Sequence, residues 1–198
     1  MINHSIKFVF VHINKTAGTS IEKSLPGCVR RRNVHPSANE YKQMLGENFK
    51  NYFKFSFVRN PWDKMKSFYL FRSRSRKQWM KQHNYGRLPT FEEFIKNMLD
   101  IPTEPYGSKI THTQRASNQL DWLTDENENI LVDFIGRYET LQSDYEKVCI
   151  ELKLPSALLP EVNCSSGVHY SEYYTSETRE IVATRFQRDI DFFNYNFE

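Results

Sequence analysis

His12-Ile13-Asn14-Lys15-Thr16-Ala17-Gly18-Thr19-Ser20 joins a hydrophobic run, Phe8-Val9-Phe10-Val11, to a helix-like run, Ile21-Glu22-Lys23-Ser24-Leu25. The order is that of a strand, a loop and a helix N-terminus. A helix start presents unpaired backbone N–H groups and the positive end of the macrodipole. Here it also carries one lysine and the hydroxyls of Thr16, Thr19 and Ser20, so the loop suits a bound phosphate or sulfate. A P-loop would place its lysine directly after a second glycine, whereas Lys15 precedes the loop's single glycine, Gly18.

The order Lys15-Thr16-Ala17-Gly18-Thr19-Ser20 resembles the 5'-phosphosulfate loop of sulfotransferases that use 3'-phosphoadenosine 5'-phosphosulfate (PAPS). The resemblance is to the branch of carbohydrate sulfotransferases and their bacterial relatives. A second segment, Phe55-Ser56-Phe57-Val58-Arg59-Asn60-Pro61-Trp62-Asp63-Lys64-Met65-Lys66-Ser67-Phe68-Tyr69, is again a strand running into a helix, with Pro61 in the first turn. In that family an Arg-Asn-Pro followed by a serine eight residues after the arginine holds the 3'-phosphate, and Arg59 and Ser67 fall on those positions. Asp133-Phe134-Ile135-Gly136-Arg137-Tyr138-Glu139, Leu159-Pro160-x-x-Asn163 and Phe192-Phe193-x-Tyr195 extend the likeness over nearly the whole chain.

The 198 residues permit one α/β domain, 1–198, with a sizeable core. A hydrophobic fraction of 39% and a charged fraction of 26% are those of a globular protein, and a net charge of +3 gives no argument for a nucleic-acid partner. No apolar run approaches the roughly 20 residues of a membrane span, and strand-like Ile6 to Ile13 begins without a signal-peptide pattern. The expectation is a cytoplasmic enzyme of bacterial type, or a trimmed form of an anchored one. Cys28, Cys149 and Cys164 have no metal-binding spacing and are expected to be reduced, partly buried thiols.

Strand and helix alternate along the chain, the pattern of a central parallel sheet flanked by helices. The expected elements are a helix over 21–27 stopped by Pro26-Gly27, a helix from its Ser37 N-cap to Met44-Leu45 before Gly46, and a strand over Phe53–Val58. A long helix from Pro61 past Phe71 into Arg72–Lys77 and a helix over Phe91–Leu99 capped by Thr90 follow. Then come a strand over Ile130–Gly136, a helix over Tyr138–Leu152 and a closing helix over Glu177–Phe186.

The resemblance implies a P-loop nucleotide-kinase-like sulfotransferase fold with PAPS as sulfuryl donor and no required metal. Lys15 is the expected cation on the bridging oxygen, with Thr16, Ala17, Gly18, Thr19 and Ser20 around the phosphosulfate and Arg59 with Ser67 on the 3'-phosphate. Among His4, His12, His35, His83, His112 and His169, His35 stands between the two anion-binding elements, where related enzymes place a base; Glu40 is the substitute. His12 is expected to orient or pack. Arg30-Arg31-Arg32 and the group Arg72, Arg74, Arg76, Lys77 are either a solvated face or a cradle for an anionic acceptor. Gln119, Trp122, Asn163 and Ser165 match cleft positions loosely. The acceptor is expected to be a hydroxyl on a carbohydrate or glycoconjugate. Two rivals stand beside this reading: a P-loop phosphotransferase using Asp133 as a magnesium ligand at the end of its strand, and a nonenzymatic anion-binding module.

Overall fold

Bulky apolar runs build a four-stranded sheet in the order β1-β2-β3-β4, from β1 (Ile2–Asn3), β2 (Phe8–Val11), β3 (Phe53–Val58) and β4 (Phe134–Arg137). The computed structural model describes residues 1–27, 35–74, 87–97, 117–155, 158–160 and 167–198. Strands β2, β3 and β4 are parallel, with Phe10 beside Phe55 and Phe57 beside Gly136. The expectation of a parallel sheet needs one correction: β1 is antiparallel to β2. Only a tight turn separates these two strands, and a turn of that length closes an antiparallel pair but not a parallel crossover. All four residues of β2 are buried, as befits a strand covered on both faces.

Among the described residues the α-helices are α1 (Gly18–Ser24), α2 (Ala38–Leu45), α3 (Pro61–Arg74), α4 (Phe91–Asn97), α5 (Leu141–Glu151), α6 (Ser176–Arg185) and α7 (Gln187–Phe193). A capping box starts α2: Ser37 Oγ accepts from the Glu40 N–H at 3.2 Å, and the Glu40 carboxylate accepts from the Ser37 N–H at 2.7 Å. Thr90 and Glu93 start α4 the same way. The strand expected over 130–136 begins only at Phe134. Before it, Ile130 bridges Thr124, and Asp133 binds Lys54 through its N–H, which donates to the Lys54 carbonyl, and through its carboxylate. The helix expected over Glu177–Phe186 is α6, and it is not the last: after Phe186, whose ring is fully buried, α7 follows.

The described residues form two compact units, one within Met1–Arg59 and Glu104–Asn163, the other within Asn60–Thr103 and Cys164–Glu198. In the first, Phe8, Phe10, Phe55 and Phe57 pack against Ile21 of α1, Leu25 at its C-cap, and Tyr145, Val148 and Cys149 of α5. Gly136 is needed beside this cluster, because a Cβ there would lie 2.5 Å from the Phe57 ring. In the second unit, Asn60 starts α3: its Oδ1 accepts from the Trp62 N–H at 3.0 Å while its Nδ2 donates to the Asn196 carbonyl at 2.9 Å. Pro61 takes the first helical position, where a missing N–H costs nothing. Cys28, Arg30, Arg31, Arg32, Arg76, Lys77, His83, His112, Asn163, Cys164 and Ser165 lie outside the described residues. Among the described residues no helix is long and apolar enough to cross a membrane.

Candidate functional site

In a parallel sheet the crevice for ligands lies beyond the carboxyl ends of the strands. Three segments leave those ends in the first unit: His12–Ala17 after β2, Arg59 after β3 and Tyr138 after β4. They are joined through Arg59. Its Nη1 donates to the Lys15 carbonyl at 3.1 Å, and its guanidinium carbon lies 3.6 Å from the centre of the Tyr138 ring. A stack of this kind contributes about 0.5–2 kcal/mol, more as water is excluded. Gln119, fully buried, acts as a surrogate strand for the arginine's backbone: its Oε1 accepts from the Arg59 N–H at 2.9 Å and its Nε2 donates to the Arg59 carbonyl at 2.8 Å.

The loop after β2 is wound unusually. Lys15 has φ of 70° and Ala17 has φ of 63°, with Thr16 between them outside that region. A side chain in the left-handed region costs roughly 1–2 kcal/mol per residue, so two within three residues mark a loop held for a purpose. Alternating hands turn successive N–H groups toward one side, the backbone nest that binds anions. Ala17 is the N-cap of α1 and has no side-chain cap, so Thr19 and Ser20 do not serve as caps. The Thr16 hydroxyl donates inward to the Ile13 carbonyl at 2.9 Å and steadies the loop from below. Asn14 is buried in the same loop, and its Nδ2 has no hydrogen-bond partner.

Gly18 leaves room for a ring. A Cβ there would lie 2.1 Å from the His12 imidazole, which packs flat over Phe10 and whose Nδ1 lies 2.7 Å from Glu22 Oε1. His35 stands edge-on to His12, with ring centres 4.3 Å apart, and its Nδ1 lies 3.1 Å from the His12 carbonyl oxygen. The far side of His35 meets Trp122, with ring centres 6.4 Å apart. Glu40, by contrast, is engaged by its own helix start.

The structure therefore brings the Lys15–Ser20 loop, His35 and Arg59 together in the first unit, while Ser67 sits half-buried on α3 in the second. Two residues important to the geometry escape sequence reasoning, Tyr138 and Glu22. Tyr138 lies inside a family-like run but shows nothing there of its stack on Arg59. Asp133 lies at the amino end of β4, engaged by Lys54, away from the carboxyl ends where a magnesium-binding aspartate would have to stand. That removes the feature on which the phosphotransferase reading drew.

No solved structure matches the chain. An uncharacterized protein of Archaeoglobus fulgidus is 31% identical over 129 residues, which cover 62% of this chain and 85% of that protein. The model of the sulfotransferase family matches residues 1–196, so it takes in both compact units and every segment that meets at the carboxyl ends of the sheet. With a match of that extent, the chain belongs to the sulfotransferase family.

Proposed function

We propose that residues 1–198 form one sulfotransferase domain, of nucleotide-kinase-like outline, that transfers a sulfuryl group from PAPS to a hydroxyl on a carbohydrate or glycoconjugate. The observation that carries this reading is the hydrogen bond from Arg59 to the Lys15 carbonyl, which links the two anion-binding elements at the carboxyl ends of adjacent parallel strands. The alternating loop backbone and the unpartnered Asn14 amide fit an anionic donor group, since both present N–H donors. When bound, PAPS would supply an activated sulfuryl group on a phosphate leaving group.

The residues then divide the work. The N–H groups from Thr16 to Thr19 and the hydroxyls of Thr19 and Ser20 hold the phosphosulfate, Arg59 with Ser67 takes the 3'-phosphate, and the Lys15 ammonium meets charge developing on the leaving phosphate. His35 accepts the hydroxyl proton as the acceptor oxygen bonds to sulfur and the sulfur–bridging oxygen bond breaks, its electron pair leaving with the phosphate. Positioning and electrostatics supply most of such catalysis, with no step that requires a metal. The test is calorimetry with adenosine 3',5'-bisphosphate against ATP, with and without magnesium, followed by turnover with labelled PAPS on pools of glycan acceptors. Tight binding of the bisphosphate without magnesium is expected; preference for magnesium ATP, or binding without turnover on any hydroxyl acceptor, would discard the reading.

A further inference from the structure

We propose that Glu22 and His12 are positioning residues for His35: the His12 carbonyl selects its tautomer, and Glu22, by fixing the His12 ring, fixes its ring plane. The inference rests on the reading of His35 as the base. Two contacts tie His35 to a single neighbour. Its Nδ1 lies 3.1 Å from the His12 carbonyl oxygen, and its ring meets the His12 ring edge-on at 4.3 Å, with 76° between the planes. A carbonyl only accepts, so the His35 Nδ1 carries the proton and the neutral ring keeps its lone pair on Nε2. That is the nitrogen a hydroxyl proton must reach.

The His12 ring is itself fixed from three sides. Its side chain and that of Glu22 are each 9% exposed, and the 2.7 Å contact between them joins the first residue after β2 to the second turn of α1. A carboxylate also only accepts, so His12 donates from Nδ1. Phe10 stacks on one face of the ring, 5.7 Å away and 9° from parallel, and the bare Cα of Gly18 lies against the ring as well. Glu22 stands four residues after Gly18, so one helical turn supplies both the space for the imidazole and the carboxylate that orients it. Packing alone needs no buried carboxylate at this place, since burying a charge carries a penalty that only a specific hydrogen bond offsets. The arrangement makes the donor loop and the base one rigid assembly: whatever fixes His12 fixes the surface on which His35 rests.

The native chain gives the first test. Nitrogen-15 NMR on histidine-labelled protein, with the His35 resonances assigned by their loss in His35→Ala, should show a single Nδ1–H tautomer for His35; an Nε2–H tautomer overturns the inference without any Glu22 variant. Glu22→Ala leaves the His12 carbonyl in place, so the Nδ1–H tautomer of His35 should persist while its ring plane loosens. The variant's kcat should fall on the order of 10–100-fold while its KM for PAPS moves less than about threefold, because a misplaced base slows the chemical step more than donor binding. Glu22→Gln keeps an acceptor oxygen and should restore most of the rate. Glu22→Met fills the space without an acceptor and replaces the alanine variant should that one not fold. A native kcat in Glu22→Ala, with His35→Ala inactive, would overturn the positioning role of Glu22 alone. Near-native turnover in His35→Ala would overturn the base assignment and the inference with it.

Discussion

Asn14 holds an orphan N–H inside the loop after β2, and a buried amide N–H without an acceptor destabilises a fold by about 1–3 kcal/mol. Asn14→Leu conserves most of the volume and removes the orphan, so it should stabilise the ligand-free protein by about 1 kcal/mol, read as a higher denaturant midpoint at unchanged slope. Calorimetry on the same variant separates the two uses of the amide. A loss of affinity for adenosine 3',5'-bisphosphate marks it as part of the donor site, and unchanged affinity marks it as a plain cost. The sequence places Asn14 beside Lys15 but gives no sign of this, because satisfaction of a side chain depends on what the fold brings to it. The same holds for Glu22: ten residues separate it from His12, and only the turn between β2 and α1 makes the two neighbours.

At the scale of elements, the junction from β4 to α5 aims Tyr138 at Arg59, and Asp144 ties that junction together. Its Oδ2 accepts from the Arg137 N–H at 2.9 Å and the Thr140 hydroxyl at 2.7 Å, while its Oδ1 pairs with the Lys147 ammonium at 2.8 Å. Burial pushes the carboxyl up, but the Lys147, Arg137 and Thr140 contacts outweigh it and hold the group below its ordinary value of 3.8. A carboxylate depressed in the fold adds stability above that ordinary value, and the gain disappears as pH falls through the lower folded value. Asp144→Asn should therefore flatten the acid limb of stability below pH 3.8 and reduce stability at neutral pH by roughly 1.5–3 kcal/mol; denaturation at pH 7 and pH 3 checks both. An unchanged acid limb would remove Asp144 from this role. Elements with local punctuation are legible in the sequence: β3 as a run of aromatic and apolar residues before Pro61, and α2 and α4 from the N-caps Ser37 and Thr90. The start of β4 is not, because Val132-Asp133 continues the apolar run while Lys54, on another strand, claims the aspartate. The joining of Arg59, Lys15 and Tyr138 also depends on parallel register, which no local pattern encodes.

For the whole molecule, the question is whether two compact units make one folding domain. Each is assembled from two separated stretches of chain, so neither closes its own fold without the chain passing through the other. One of the crossings falls between Arg59 and Asn60, inside a single Arg-Asn-Pro motif and without a linker, and the family model runs through it. Units connected in this way are expected to unfold together. Heating should give one transition in which the calorimetric and van't Hoff enthalpies agree and fluorescence coincides with circular dichroism. Adenosine 3',5'-bisphosphate at one hundred times its Kd should add about 2.7 kcal/mol and move the midpoint by roughly 5–10 °C for a chain of this size. The shift should apply to the entire transition, since bound ligand stabilises whatever is cooperative with its site. Hydrogen exchange gives the residue-level counterpart: protection in α3 and α6 of the second unit should rise with ligand as it does in α1 and α5 of the first. Two resolved transitions, with only one displaced by the bisphosphate and protection confined to the first unit, would show that the chain carries two folding domains and that the donor site belongs to one of them.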